Sequence, residues 1–121
     1  MEDKFNNVGI EFFKGDLITS MPKIEVIRNN DGRTGKAVFL FKEIEEVSNE
    51  FISKISQMTM KDPEGEIITK KINIIQAKNN RNSIEVIYTW REDIEFKRFM
   101  RFACNYAITQ GLSPSIEKMG D

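Results

Sequence analysis

Short runs of apolar residues, several of them alternating with polar ones, fill the middle of the chain and predict β-strands. The predicted strands are residues 8–13, 23–28, 36–42, 58–61, 66–76 and 83–88. Polar and glycine-containing turns at residues 29–32, 62–65 and 78–82 separate several of them. Because consecutive strands joined by short turns pair with opposite directions, we predict mainly antiparallel pairing.

The period changes near the C-terminus, where a helical stripe replaces the alternation. The stripe consists of Phe96, Phe99, Met100, Ala103 and Ala107. Residues 89–92 fit a capping box at the start of this helix, and Gly111 is a natural stop. Phe102 lies about 120° from Phe96 at 100° per residue, so it is predicted to lie outside the stripe. We therefore expect a long amphipathic helix packed on the sheet.

A second, shorter helix is predicted between the strands, within residues 43–54, from the spacing of Ile44, Val47 and Phe51. The fold class is therefore α+β: a mainly antiparallel β-sheet with a long amphipathic C-terminal helix packed on it and a short helix between strands. The length of 121 residues fits one domain. Its core is expected at about residues 8–112, with frayed termini.

Composition argues against an enzyme. The chain has no histidine and one cysteine, Cys104, so the common general base, histidine-based nucleophiles and ordinary zinc sites are missing. We expect no cofactor and no metal. The lone cysteine fits a reducing compartment. The first residues show no signal or transit character, so we expect the protein to stay where it is made. A net charge of −1 gives no general attraction to nucleic acid.

Two motifs have attractive but weaker functional interpretations. Residues 32–37 look like a phosphate-binding loop, but Asn30 and Ala37 occupy positions that need glycine and a hydroxyl residue, so a hairpin turn is favoured. Asp62, Glu64 and Glu66 alternate around a turn and could bind a hard cation or serve as an acid–base pair. Solvated turn carboxylates are the commoner explanation.

Two aromatic features raise the question of an interface. Phe39 and Phe41 share one face of a strand, where they are either core or a base-stacking platform assisted by Lys78 and Arg81. We favour core. On the helix, Lys97, Arg98 and Arg101 surround the off-stripe Phe102. An aromatic residue framed by arginines is typical of a protein interface.

The helix sequence Arg-Phe-Met-Arg-Phe at residues 98–102, followed by Tyr-Ala and Gly-Leu, resembles the Psb twenty-eight family of photosystem II reaction-centre proteins. Further similarities run in order along residues 9–112. They include Gly-Ile-Glu-Phe near the start, the Asp-Gly turn followed by alternating Ala, Phe and Phe, and Glu-Gly-Glu-Ile with Thr at residues 64–69. The chain departs from the family pattern at Phe96, Ala103 and Asn105.

The resemblance implies a non-catalytic assembly or repair factor, peripheral to the cytosolic (stromal) side of the thylakoid membrane and cyanobacterial or plastid-encoded. Its implied partners are photosystem II reaction-centre subunits and the C-terminal tail of the larger chlorophyll-binding inner antenna subunit, with no nucleic acid. We expect this tail to add to a sheet edge as a strand. The expected partner-binding residues are Arg28, Arg33, Lys36, Arg98, Arg101 and Phe102.

Two other function classes stay open at this point. A nucleic-acid-binding β-sheet module would use the paired phenylalanines and a basic turn, and its binding would depend on salt. An enzyme would need a carboxylate site near residues 62–66, with a pocket that shifts a carboxyl pKa.

Overall fold

The computed structural model describes residues 8–45, 47–76 and 81–111. Eight strands and two helices lie in these ranges. In chain order they are β1 (Gly9–Phe13), β2 (Asp16–Leu17), β3 (Lys23–Arg28), β4 (Gly35–Phe41), α1 (Asn49–Ile52), β5 (Met58–Asp62), β6 (Gly65–Thr69), β7 (Lys71–Ile75), β8 (Ser83–Trp90) and α2 (Asp93–Thr109). The predicted α+β class is confirmed. The turn residues 78–80 lie outside the described ranges.

The strands form two four-stranded sheets rather than one. The first has the order β2-β1-β5-β6 and the second the order β3-β4-β8-β7. Every pairing is antiparallel, as predicted. The predicted strand at residues 66–76 is interrupted at Lys70, so that β6 belongs to one sheet and β7 to the other. A hydrogen bond from the Thr69 hydroxyl to the Ile87 carbonyl, 2.6 Å long, ties this corner together.

The core lies where the inner faces of both sheets meet α2. Phe39 and Phe41 of β4 are almost fully buried, which confirms the core interpretation and removes the base-stacking platform. The Phe41 ring meets Phe12 of the other sheet edge-on at 5.1 Å, and Phe39 meets Phe99 of α2 edge-on at 6.1 Å. Aromatic contacts of this geometry join all three layers.

Strand β8 is longer than predicted and α2 starts later. Trp90 pairs with Gly35 and Thr89 with Lys36, so the first two residues of the predicted capping box are still in the sheet. The predicted capping box is therefore wrong. Glu92 is the N-cap residue, and Glu95 in the first turn accepts a 3.0 Å hydrogen bond from the Arg91 N–H.

Gly35 shows why this corner needs a glycine. A Cβ atom there would lie 2.5 Å from the Ile27 carbonyl oxygen and 2.6 Å from the Trp90 ring. Such distances are below van der Waals contact, so the large indole packs over the glycine. The expected stop of α2 is also confirmed, since Gly111 has φ +75° directly after the last turn.

The buried face of α2 is wider than the predicted stripe. Phe99, Met100, Phe102 and Tyr106 are its buried residues, and Phe102 is 0% exposed. The expectation that Phe102 is exposed is therefore wrong. The predicted angle of about 120° separates Phe102 from Phe96, which is only half-buried. From the buried Phe99, Phe102 is only about 60° away at 100° per residue. Its ring stacks on Tyr106 at 5.7 Å.

The short helix predicted in residues 43–54 exists as a single turn, α1. Ile44 and Val47 are buried as the helical spacing suggested, whereas Phe51 is exposed and its neighbour Ile52 is buried instead. Most of the predicted stretch is loop, because one turn of helix supplies few of its own hydrogen bonds.

Candidate partner-binding surface

Arg98 of α2 is bound to the β5–β6 turn rather than presented to solvent. Its two terminal nitrogens donate to the two carboxylate oxygens of Asp62, each over 2.8 Å. The Asp62 side chain is 0% exposed and that of Arg98 is 20% exposed. A planar guanidinium facing a carboxylate in this way satisfies both groups. Both terminal nitrogens of Arg98 are therefore already hydrogen-bonded within the chain, which leaves this side chain few donors for a partner protein.

Arg101 is engaged in the same corner, one turn further along α2. It donates to both oxygens of Glu64 over 2.7 and 2.9 Å. This hydrogen bond to Arg101 holds the pKa of Glu64 below its usual value and raises the pKa of Arg101. We call Asp62, Glu64, Arg98 and Arg101 the helix–turn clamp. Two of the three carboxylates proposed for a cation are thus occupied by arginines.

Arg28 also has internal partners. One terminal nitrogen donates to the Gly32 carbonyl over 2.7 Å and lies 3.7 Å from Asp93. The guanidinium carbon sits 4.4 Å from the centre of the Phe96 ring. Arg28 therefore joins the β3–β4 loop to the first turn of α2, and a partner would find its charge already partly compensated.

Arg33 of the β3–β4 loop and Lys36 at the start of β4 are the two predicted residues that stay available. Arg33 and Lys36 are exposed and form no salt bridge with any residue in the described ranges. Asp31 fixes the loop by accepting hydrogen bonds from the Thr34 N–H, the Thr34 hydroxyl and the Arg33 N–H, all within 2.8 Å. These bonds, those from Thr34 first, lower the pKa of Asp31 to about 2.

Strand β3 offers main-chain groups to an added strand. The sequence predicted that a partner tail would add to a sheet edge, but it did not show which strand forms that edge. It pairs with β4 along its whole length and is the outermost strand of its sheet. The Asn29 N–H donates towards β4, to the Thr34 carbonyl, over 2.9 Å. Since N–H and C=O directions alternate along a strand, those of Ile24, Val26 and Arg28 point away from β4. We call these outward groups the β3 edge.

The other outer strands are poorer templates for an added strand. Strand β2 has two residues and an irregular register against β1. Strands β6 and β7 have five residues each and are separated only by Lys70, where the chain crosses between sheets. Strand β3 has six regular residues. Length and regularity therefore single out β3.

The sequence did carry a signal for this edge. Exposed and half-buried residues alternate along β3, and no position in it is fully buried. A charged pair, Lys23 and Glu25, lies on its solvent face. Short strands with polar solvent faces and no fully buried residue are common at sheet edges.

Within the described ranges, no group of three or more acidic or cysteine side chains is placed to share a metal ion. Of the residues proposed for nucleic-acid binding, Arg81 pairs with Glu43 at 3.5 Å, and Lys78 lies outside the described ranges. No helix in the described part of the chain is long and apolar enough to cross a bilayer.

These features define a class: a small α+β protein in which the two arginines of the long helix pair with the β5–β6 turn, and in which a regular outermost strand lies beside a basic loop. Residues 10–113 match the family model described as Psb28 protein. The chain belongs to the Psb28 family.

Individual relatives agree over nearly the whole chain. A protein named photosystem II reaction center Psb28 protein from Synechococcus sp. (strain WH7803) is 39% identical over 91% of this chain and 85% of its own length. Proteins of the same name from Synechococcus sp. (strain CC9902) and Prochlorococcus marinus (strain MIT 9211) are 36% and 37% identical, covering 100% and 90% of this chain and 92% and 93% of their own lengths. The family resemblance of the helix motif is thus confirmed.

Proposed function

We propose that this protein is a non-catalytic assembly or repair factor of photosystem II that binds reaction-centre intermediates transiently. It acts peripherally on the cytosolic (stromal) face of the thylakoid membrane. Its family membership and the names of its relatives support the link to photosystem II. The carboxylates considered for catalysis support the non-catalytic part, because Asp62 and Glu64 are already bound to arginines.

The β3 edge is the observation that carries the binding mechanism. In this proposal the C-terminal tail of the larger inner antenna subunit adds as a strand beside β3. The outward N–H and C=O groups of Ile24, Val26 and Arg28 then gain main-chain partners. A flexible tail loses entropy on ordering, which keeps such a complex reversible, as a factor that leaves the finished complex requires.

The basic loop supplies the charged part of the contact. Arg33 and Lys36 lie where β3 turns into β4, next to the β3 edge, and both are exposed. They replace the helix face in the proposed interface, because the helix–turn clamp and the buried Phe102 have internal partners. Arg28 contributes through its main chain and less through its already compensated charge.

The edge can be tested by removing one outward donor. Val26→Pro deletes an N–H that points away from β4, so it blocks an added strand without removing a bond to β4. Val26→Ala is the matched control, because it loses the same side chain but keeps the N–H. We expect Val26→Pro to weaken capture of photosystem II intermediates, and binding of a synthetic antenna-tail peptide, by about tenfold or more, since a lost hydrogen bond is combined with a clash.

Unchanged binding by folded Val26→Pro would refute the β3 edge as the binding site. Equal losses in Val26→Pro and Val26→Ala would also refute it, because they would trace the effect to packing. Circular dichroism and chemical denaturation of each variant establish that it is folded.

A further inference from the structure

A groove lies between the β1–β2 hairpin and the segment that leads into α1. Its volume is about 720 Å³, within the range of about 300–1,000 Å³ typical of ligand-binding sites. One wall is formed by Asp16 and Leu17 of β2, which is the outermost strand of its sheet. The opposite wall is formed by Ser48 and Phe51. The groove belongs to a different sheet from the β3 edge, so it is an independent surface.

The walls of this hairpin groove are apolar and exposed. Phe51 is 47% exposed and Leu17 is 40% exposed. The Phe13 ring meets Phe51 edge-on at 6.5 Å across the groove. Neighbouring exposed apolar side chains that line a concavity are typical of an interaction site rather than of scattered surface residues. Aromatic walls of this kind favour bulky apolar or planar groups.

The charge of the groove narrows the choice of occupant. Among the described residues of its lining, Asp16 is the only ionised one, and it forms no salt bridge with any of the described residues. The Ser48 hydroxyl, at the N-cap of α1, makes no capping hydrogen bond. The Lys54 ammonium lies 5.0 Å from the centre of the Phe51 ring, so one face of this ring is already in contact with a cation of the chain itself. The complement of aromatic walls and one carboxylate is a planar cation on an apolar stem.

We propose that the hairpin groove binds a short peptide segment of a partner protein in which an arginine is flanked by bulky apolar residues. The guanidinium stacks against the Phe13–Phe51 pair and donates to the Asp16 carboxylate. The flanking apolar side chains cover Leu17. The groove is thus a second docking point, separate from the strand-addition site.

Nuclear magnetic resonance titration of the full ¹⁵N-labelled chain tests this directly. The probes are acetyl-Leu-Arg-Phe-amide and its citrulline analogue, which keeps the shape of arginine but has no charge. We expect the amide signals of Gly15, Leu17, Ser48 and Phe51 to shift, with the arginine peptide binding about threefold tighter, as an exposed ion pair allows. Asp16→Asn should abolish this preference and leave the citrulline peptide unaffected.

Two further variants separate the groove from general apolar binding. Phe51→Ser should weaken both peptides severalfold. Ile68→Ser, which changes an equally exposed apolar residue on β6, should weaken neither. Since these three residues are exposed, the variants are expected to fold.

Three outcomes would overturn the proposal: equal binding of the two peptides, shifts located away from the groove, or groove signals that shift with protein concentration alone. The last would show that a second copy of the chain occupies the groove. Because neither peptide derives from photosystem II, failure here leaves the proposed function untouched, and failure at the β3 edge leaves the groove untouched.

Discussion

The helix–turn clamp and the β3 edge are both rich in hydrogen-bonding groups, yet they differ in what remains unsatisfied. In the clamp, each arginine faces a carboxylate through two hydrogen bonds. At the β3 edge, the main-chain groups on one side of a six-residue strand lie at the end of the sheet. The residue types in a region therefore predict binding less well than the internal hydrogen-bond partners that those residues already have. The clamp joins α2 to the β5–β6 turn, whereas the β3 edge is where we propose that a partner strand is added.

The largest effect that tests this contrast is at Phe102. Because its side chain is fully buried against Phe99 and Tyr106, Phe102→Ala should lower the free energy of unfolding by about 3–5 kcal/mol. Phe99→Ala should cost a similar amount. Chemical denaturation measures both. Ile94→Ala, at a position 70% exposed on the same helix, is the control and should change stability by less than about 0.5 kcal/mol.

A loss below about 1 kcal/mol for Phe102→Ala would mean that Phe102 is not part of the core. The face of α2 would then again be a candidate partner-binding surface, and the distinction between the helix–turn clamp and the β3 edge would not hold.

Within the clamp, the buried pair should matter more than the exposed one. Asp62→Ala leaves Arg98 without its partner, and we expect a cost of about 2 kcal/mol. This is less than the ~3–5 kcal/mol of a fully buried pair, because Arg98 keeps part of its surface in water. Glu64→Ala should cost clearly less, since both partners there are largely solvated. Urea denaturation compares the two, and a larger loss for Glu64→Ala would reverse the ranking.

Acid should weaken the loop that borders the β3 edge. The folded-state pKa of Asp31 is about 2, below the ordinary value of 3.8. Its contribution is therefore fully present above about pH 4 and is lost as pH falls towards 2. Asp31→Asn should be less stable than the parent at pH 7, and the difference should shrink between pH 4 and pH 2. Denaturation midpoints at several pH values test this, and a constant difference would contradict it.

The strands could be predicted from the sequence because alternation is a local signal. Residues 23–28 were placed correctly, and the β4 prediction differed by one residue at each end. The break at Lys70 was missed, although Lys70 and Lys71 interrupt the isoleucines there. The inward-facing positions change from Ile67 and Thr69 in β6 to the half-buried Ile72 and Ile74 in β7, because the two strands belong to different sheets.

The candidate site was harder to predict, because exposure depends on contacts distant in sequence. Arg98 and Asp62 are 36 positions apart, and no helical spacing reveals that they meet. Phe102 was misplaced because Phe96 lies near the middle of the predicted stripe, whereas the buried face of α2 is rotated towards Phe99 and Tyr106. Arg33 and Lys36, which were expected to bind a partner, are exposed, but their part in binding remains a prediction.

The smallest expected effect concerns Arg33 and Lys36, which form no salt bridge with any described residue, unlike the arginines of the clamp. Arg33→Ala combined with Lys36→Ala removes two exposed charges without removing a salt bridge, so stability should change little. Association with the antenna-tail peptide should slow by about two- to threefold at low ionic strength, because rim charges act mainly on the association rate. At an ionic strength near 1 M the difference should vanish, since the Debye length falls to about 3 Å.

Surface plasmon resonance at several salt concentrations measures both the association rate and the dissociation rate. Dissociation should be unaffected, because strand addition holds the complex through main-chain hydrogen bonds that carry no net charge. A change confined to the dissociation rate would instead place these side chains in direct, desolvated contact with the partner.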